Sequence, residues 1–553
     1  MKSKSVTRGL SISDWLCLGL LLTVMVLSGI TVFHTSQNVL DSDAAAEMVL
    51  SHHLASEGKL LSQDWFYSTE LRVFHVQLIF VTLLKFIPDW SLVRFIGTMF
   101  LQLLLLASYG YLIRKAELNR KVFFLGGSLL LLPVSVAYGR FVLYHAHYVI
   151  HGIVGFALTA WLLAMLRDWE LRRKGWLIVH LLLFLLLSWL SSLNGYRQLA
   201  TAHAPLALLC ALWMWRAGNR YEGKRAFTML AIVCAGMFFG LLGLIQNQKW
   251  QQVYSFADYS GIRLEIISPE GIMDMLFGLV HQFGYRRGLS VLSRMGLLSL
   301  LSIPVAFCCL ARSVRSVLDR NLQVPVGERL ILHMLPCALA VVGMIFVFTT
   351  QNVDAERYSI PYAIWYIPLL TCMMTASSGR ESDCCKWLPE WMTAPRLVSF
   401  ALWGICFCNG LCNMNSFLHP DGFNQEYTGL SLKNPDYVSY IDDVQEVLVA
   451  NHYDLGYCCF EEGNVLTELS DGQLPVVNLL KVDTSQGFVC YDWLTLESSR
   501  SLPAQKPFLL LTWDLDEWIN TTDLGPLIEK AYSVNGYIIY DIPDLQAFRE
   551  ALT

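Results

Sequence analysis

Long apolar runs recur through this chain of 553 residues, and they constrain its fold more than any other feature. An α-helix needs about 20 residues to cross the hydrocarbon layer of a bilayer. Runs that approach this length fall at residues 13–33, 92–113, 122–138, 147–166, 176–193, 199–215, 226–246, 291–311, 330–349, 359–377 and 396–413. The chain is therefore predicted to be a polytopic protein of the cell membrane, with an all-α membrane domain of about 11 transmembrane helices.

The composition agrees with this class of protein. Apolar residues make up 54% of the chain and charged residues 15%, against roughly 25% charged in an ordinary soluble domain. No basic patch with interleaved aromatic residues indicates a nucleic-acid partner. Most of the 15 cysteines lie inside apolar runs or in adjacent pairs, which favours small core residues over a disulfide framework.

The distribution of Lys and Arg predicts the topology. One further apolar stretch, residues 73–87, is shorter than the others and carries His75, Gln77 and Lys85. If this stretch lies in the interface, the basic clusters within residues 2–8, 114–121, 167–174, 216–225, 312–329 and 380–396 all fall on one side of the membrane. The positive-inside rule makes that side cytoplasmic. The N-terminus is then cytoplasmic, and an odd number of spans leaves the C-terminal part outside.

The chain changes character near residue 420, where the long apolar runs stop. Residues 420–553 have the pattern of a small extracytoplasmic α/β domain. Helices are predicted at 436–451 and 463–470, and strands at 457–460, 476–480, 508–512 and 537–541. Residues 1–415 form the predicted membrane domain, whose first outer loop covers residues 34–91.

Three carboxylates crowd the beginning of this first outer loop. Asp43 is predicted to be the N-cap of a helix that lies on the membrane surface and ends at Gly58, and Glu47 follows one turn later on the same side. Crowding with Asp41 is expected to raise the pKa of these carboxyl groups, which improves a general base near neutral pH. All three are candidate catalytic residues. The alternative is an N-cap followed by a solvated acidic turn.

The same loop continues with a segment rich in aromatic and hydrogen-bonding side chains. Tyr67, Glu70 and Arg72 are candidates for substrate binding. An interfacial aromatic belt is an alternative for Tyr67 and the preferred interpretation of Trp65. Glu70 and Arg72 do not fit an aromatic belt at the membrane interface.

The chain resembles the GT-C superfamily of glycosyltransferases in four features taken together. These are the acidic motif after the first span, the long first outer loop, the alternating basic loops and the soluble C-terminal domain. The resemblance implies a membrane enzyme that uses polyprenyl-phosphate-linked sugars, and it places Asp43, with Asp41, at the catalytic acidic motif. Many members carry a second acidic residue after the third span, but residues 138–148 contain none. His145 and His147 are candidates to replace it. A divalent metal is compatible with the resemblance, but these residues do not support one.

A lipid-phosphate donor requires a cation, because the leaving group gains negative charge as the glycosidic bond breaks. Arg197 and Arg357 each lie at a predicted outer mouth, and the planar guanidinium group fits a phosphate. Tyr358 is a further candidate for substrate binding. The alternative for the arginines is snorkelling, or pairing with Asp354 or Glu356.

The predicted reaction is transfer of a sugar, with inversion, from polyprenyl phosphate to an extracytoplasmic hydroxyl group on a cell-envelope glycan, lipid or protein. A transporter or flippase is one alternative, although the predicted spans have no Asp or Glu in their interiors, which counts against ion coupling. A surface-polysaccharide polymerase or ligase is a second alternative. A membrane-anchored interaction protein is a third.

Overall fold

The computed structural model of the chain describes residues 10–38, 40–68, 71–255, 263–319, 324–349, 356–375, 395–418 and 440–552. Glu70 and Asp354 fall outside these ranges. The helices before residue 420 are α1 Ile12–Asn38, α2 Ser42–Glu57, α3 Gln77–Leu84, α4 Trp90–Lys115, α5 Arg120–Leu130, α6 Val136–Tyr138, α7 Val149–Glu170, α8 Lys174–Ser192, α9 Ala204–Trp215, α10 Arg220–Gln251, α11 Pro269–Gln282, α12 Arg294–Leu318, α13 Val326–Phe348, α14 Ile360–Thr375 and α15 Pro395–Phe417. Short π-helical segments, Gly139–Tyr144 and Leu199–His203, lie before α7 and α9.

Eight helices in the described ranges are long and apolar enough to cross a membrane, by length and composition: α1, α4, α7, α8, α10, α12, α13 and α15. The other three predicted spans contain the shorter helices α5, α9 and α14. In the first of these, α5 ends three residues before Pro133, whose ring cannot continue a helix. The predicted multi-pass helical fold is confirmed, but helix length and composition support eight spans where 11 were predicted.

The interfacial stretch folds as α3, which has only eight residues. At 1.5 Å per residue, this helix extends about 12 Å, well short of the roughly 30 Å hydrocarbon layer. This length supports the prediction that residues 73–87 do not cross the membrane.

Helix α2 carries the three candidate carboxylates. Its N-cap is Asp41, whose side chain accepts a hydrogen bond from the backbone N–H of Ala44. The prediction that Asp43 caps the helix is therefore wrong, because the helix begins one residue before Asp43. The predicted end is correct: Gly58 adopts a φ of 67°, a left-handed conformation that glycine tolerates without cost.

The C-terminal domain contains helices α16 Tyr440–Ala450, α17 Phe460–Leu469, α18 Asp516–Ile519 and α19 Leu545–Ala551. Its six-stranded sheet has the order β4-β3-β2-β6-β8-β7, with β2 Leu455–Cys459, β3 Val476–Lys481, β4 Phe488–Cys490, β6 Pro507–Thr512, β7 Glu529–Val534 and β8 Tyr537–Asp541. The central strand β2 is parallel to both β3 and β6, and the outer pairs are antiparallel. The predicted α/β class of this domain is confirmed.

The C-terminal domain contacts the segment between α1 and α4 through a pair of strands and a pair of helices, among other contacts. Strand β1, Trp65–Phe66, pairs antiparallel with β5, Thr495–Leu496. Helix α17 packs against α2.

Ala45 of α2 belongs to a core in the C-terminal domain, whereas Met48 belongs to the core of the membrane helices. Helix α2 therefore does not lie open on the surface as predicted, because the C-terminal domain covers it. Trp65 is also fully buried, so the aromatic-belt interpretation is wrong for this residue.

Candidate active site

Asp41 lies where α2 meets the segment that leads into α7. One carboxylate oxygen, Oδ1, caps the helix. The other, Oδ2, accepts hydrogen bonds from Nη2 and Nε of Arg140, at 2.8 and 3.1 Å. Nδ1 of His145 lies 3.0 Å from the same oxygen. Both oxygens of Asp41 are thus already engaged by protein groups.

Glu47, two turns along α2 from its N-cap, forms a second and more deeply buried cluster. Its Oε1 accepts a hydrogen bond from Nη1 of Arg72 at 2.8 Å and lies 2.9 Å from Nδ1 of His147. Nδ1 of His75 is 3.5 Å from the same oxygen, and Nε2 of His75 is 2.9 Å from the backbone carbonyl oxygen of His147. One carboxylate is therefore surrounded by a guanidinium group and two imidazoles.

The two clusters meet because of the backbone between the histidines. Ala146 has a φ of 59°, which is uncommon for a residue with a side chain. This single left-handed residue follows the π-helical segment Gly139–Tyr144, and it leaves the rings of His145 and His147 6.0 Å apart. His145 thereby contacts Asp41 while His147 contacts Glu47. Strained residues and π-helical turns are typical of functional sites.

The charged neighbours reverse the expected effect of crowding on the carboxyl groups. Burial raises the pKa of Asp41, but His145 and Arg140 outweigh it and hold that pKa well below its usual range. Burial likewise raises the pKa of Glu47, and His147 together with Arg72 lowers it far below the usual value. Both carboxylates stay ionised at neutral pH. The expectation that crowding raises their pKa was wrong, because it overlooked the cations that fold against them.

Asp43 faces a different neighbour. Its side chain is 44% exposed, and its Oδ2 lies 3.8 Å from Nη1 of Arg357. The guanidinium group of Arg357 lies 5.4 Å from the centre of the Tyr358 ring, and that of Arg197 lies 5.2 Å from the same ring. Tyr358 therefore lies next to both arginines that the sequence singled out.

Arg197 and Arg357 line one cavity, whose empty volume is about 500 Å³ when the adjoining open solvent is included. The rest of its wall is mostly aromatic or apolar and includes Tyr148, Tyr196, Val342, Ile345, Phe346 and Tyr358. A smaller adjacent cavity is lined by Arg72, His75 and His147, and both cavities share Tyr148, His151 and Arg197. A molecule in the arginine cavity thus lies next to the Glu47 cluster.

Two remaining candidates are separate from these cavities. Tyr67 is buried, and its hydroxyl oxygen accepts a hydrogen bond from the backbone N–H of Ser62. Neither cavity described above includes it, so its contacts point to packing. Glu70 lies outside the described residues.

Sequence reasoning missed Arg140, His75 and Tyr148 as members of this site. Arg140 and Tyr148 lie in the same segment, residues 138–148, as His145 and His147, and the sequence pointed only to the two histidines. His75 was noticed only as a polar residue in an apolar stretch. No local pattern indicated that Arg140 would pair with Asp41 or that His75 would approach Glu47.

Asp41, His145 and His147 also offer one oxygen and two nitrogen atoms that all lie within 4.8 Å of one another. A carboxylate and two imidazoles form a ligand set used by catalytic zinc sites. These three residues could therefore hold a metal ion.

Comparison with known proteins gives a limited result. No protein-family model matches the chain, and no curated protein matches its sequence. Six chains of solved structures match, including the crystal structure of ArnT from Cupriavidus metallidurans in the apo state. That match covers 94% of this chain and 97% of the other, with 12% identity and a TM-score of 0.49. These values assign neither a family nor an activity.

Proposed function

We propose that this protein is a membrane glycosyltransferase that moves a sugar from a polyprenyl-phosphate donor to a hydroxyl group outside the cytoplasm. The observation that carries the proposal is the position of Asp43 beside Arg357, at a cavity that Arg357 shares with Arg197. A carboxylate beside one of the two guanidinium groups that line a largely apolar cavity suits a substrate with a reactive sugar, a phosphate and a lipid chain.

The two arginines are placed to hold the phosphate. Each guanidinium group lies against the ring of Tyr358, and stacking of this kind limits its rotation and lowers the entropy lost when it binds an anion. The apolar wall formed by Val342, Ile345 and Phe346 suits the first units of the lipid.

Asp43 is the best candidate for the general base. Asp41 already caps α2 and is paired with Arg140, so accepting a proton would weaken both contacts. Asp43 is half-exposed and can approach an acceptor hydroxyl group. The proton passes to Asp43 as the acceptor oxygen attacks the anomeric carbon, and the bond from that carbon to the phosphate oxygen breaks. The electron pair leaves with polyprenyl phosphate, and the configuration at the anomeric carbon inverts.

The test is release of polyprenyl phosphate by the purified chain, measured over a panel of polyprenyl-phosphate sugars and envelope acceptors. Removal of a general base typically lowers the rate by 10²–10⁴-fold. The rate of polyprenyl phosphate release by the Asp43→Asn variant should therefore fall by about that factor. Asp89→Asn is the matched control, because Asp89 is an exposed N-cap on α4 and asparagine caps equally well. An undiminished rate in the Asp43 variant would overturn the assignment of the base. Movement of labelled donor across vesicles with the sugar still attached would instead support a flippase.

A further inference from the structure

The smaller cavity beside the arginine cavity differs from it in chemistry. Its empty volume is about 340 Å³ when the adjoining open solvent is included. The described residues of its wall include two guanidinium groups, three imidazoles and two carboxamides, so we call it the polar cavity. Arg197 belongs to both walls. A phosphate held by Arg197 would therefore have the polar cavity on one side and the apolar wall on the other.

The wall of the polar cavity carries positive charge. Arg72 and Arg197 line it, and none of the described residues that line it is an aspartate or a glutamate. Glu47 lies behind this wall, where its Oε1 contacts Nη1 of Arg72 at 2.8 Å and Nδ1 of His147 at 2.9 Å. Two guanidinium groups against this one carboxylate leave an excess of positive charge. The cavity should therefore attract an anionic group and repel a cationic one.

Arg72 is held in position at the cavity wall. Its Nη1 donates to Glu47, and its backbone carbonyl oxygen accepts a hydrogen bond from Nε2 of Gln77. The Arg72 side chain is 28% exposed, whereas that of Glu47 is 11% exposed. A guanidinium group has several N–H donors in one plane and can bind more than one acceptor. A carboxylate is the planar acceptor that matches this geometry.

Gln198 supplies a hydrogen-bond acceptor in the same wall. Its side chain is almost fully buried, and its Nε2 lies 3.0 Å from Nδ1 of His151. Its Oε1 makes no hydrogen bond within the described residues. A buried acceptor without a partner costs free energy, and a hydroxyl group in the cavity would donate to it. A phosphate oxygen without a proton would not, so this wall suits a sugar with hydroxyl groups better than a second phosphate.

We propose that the polar cavity selects a donor sugar that carries a carboxylate, a uronic acid, and that Arg72 determines this specificity. The inference rests on the proposed transferase function and names the substrate class of that site. The carboxylate binds the guanidinium group of Arg72, and a sugar hydroxyl group donates to Gln198. Glu47 is a positioning residue, because it holds Arg72 from behind the wall.

The experiment measures binding of short-chain donors to the full chain in detergent by calorimetry, without an acceptor. Uronosyl and hexosyl polyprenyl phosphates are compared in the gluco and galacto configurations, so that each pair differs only at C6. The uronosyl donor of at least one pair should bind about 10–100-fold more tightly, as expected for charge-assisted hydrogen bonds. The corresponding hexosyl polyprenyl diphosphate should not share this advantage.

The outcomes separate this inference from the proposed function. Equal binding of uronosyl and hexosyl phosphates in both configurations would overturn the carboxylate specificity and leave the transferase proposal standing. Tight binding of the hexosyl diphosphate alone would assign the second anion to a phosphate and overturn the uronic acid. If none of the donors binds, donor recognition fails, and the proposed function fails with it.

Variants of Arg72 test the residue itself. Arg72→Gln should bring the affinities of the uronosyl and hexosyl donors close together, and an unchanged ratio would overturn the role of Arg72. Arg167→Gln is the matched control, because Arg167 is exposed and pairs with Glu117 away from both cavities. Thermal melting checks that each variant folds. If Arg72→Gln does not fold, Arg72→Lys decides: it keeps the charge beside Glu47 but lacks the planar group, so the ratio should fall, and an unchanged ratio would again overturn the role.

Discussion

Arg94 of α4 and Glu468 of α17 form a buried, two-pronged ion pair between a membrane helix and the C-terminal domain. Nε of Arg94 donates to Oε1 at 2.5 Å, and Nη2 donates to Oε2 at 2.7 Å. Nη2 also donates to the backbone carbonyl oxygen of Ala44, in the first turn of α2. A single guanidinium group thus joins the C-terminal domain to the helix that carries Asp41, Asp43 and Glu47.

Loss of one partner of this pair should be strongly destabilising. Glu468→Gln leaves Arg94 charged and buried without its carboxylate, which typically costs about 3–5 kcal/mol. Chemical unfolding in detergent measures the change. The control is Glu117→Gln, which removes an exposed pair with Arg167 and should cost about 0–1 kcal/mol. Equal effects of the two substitutions would show that the buried pair does not hold the domains together.

The same pair should also control the order of α2. In Glu468→Gln, amide hydrogens in the first two turns of α2 should exchange faster, because the Ala44 carbonyl loses a firmly held donor. Hydrogen exchange with mass spectrometry on the folded protein provides the measurement, with α8 as an internal reference that lies apart from the contact. Unchanged exchange in α2 would limit the role of the pair to global stability.

The arginine cavity makes a prediction about side-chain geometry. Arg357→Lys keeps the positive charge but loses the planar group that stacks on Tyr358, so kcat/KM for a polyprenyl-phosphate donor should fall by about 10–100-fold. Arg197→Lys should behave similarly. Arg167→Lys, on an exposed ion pair, is the matched control. Full activity in both cavity variants would exclude stacked, two-pronged recognition of the phosphate.

Glu462 should make the C-terminal domain sensitive to pH. Burial, reinforced by Glu461, raises the pKa of Glu462 from 4.5 to about 7. The folded state then retains a proton that the unfolded state has lost, so the contribution to stability is complete below about pH 4.5 and disappears as the pH rises through 7. At pH 8, Glu462→Gln should be more stable than the wild type, by at most about 3 kcal/mol. At pH 4.5, the two should be equal.

Unfolding midpoints of the full chain between pH 4.5 and 8 check this prediction about Glu462. Glu446→Gln replaces an exposed carboxylate of α16, and its unfolding midpoint should differ little from that of the wild type at any pH. A constant difference between Glu462→Gln and the wild type across this range would contradict the prediction.

The left-handed backbone of Ala146 gives the last prediction. Glycine adopts a positive φ without the steric cost that alanine bears, so Ala146→Gly should change the free energy of unfolding by less than about 0.5 kcal/mol. Ala160→Gly, at a buried position inside α7, should cost about 1 kcal/mol or more. Chemical unfolding of both variants measures the difference. A larger loss from Ala146→Gly would indicate that its conformation is not the one described.

The sequence by itself determined the class of this protein and the positions of several local elements. Apolar runs predicted the membrane helices, and the alternating pattern of the tail predicted β3 and β8 within one residue at each end. Gly58 predicted the end of α2. These features depend on neighbouring residues and on helix or strand periodicity, so they can be inferred without knowing the tertiary contacts.

Only the tertiary structure decided which side chains meet. Arg140 lies 99 residues from Asp41 along the chain, and Glu468 lies 374 residues from Arg94. No local pattern encodes such contacts, since they arise when helices and domains pack. That packing placed cations against Asp41 and Glu47 and thereby lowered the pKa values that local crowding was expected to raise. It also placed Asp43 beside Arg357, because α2 is held between the membrane helices and the C-terminal domain.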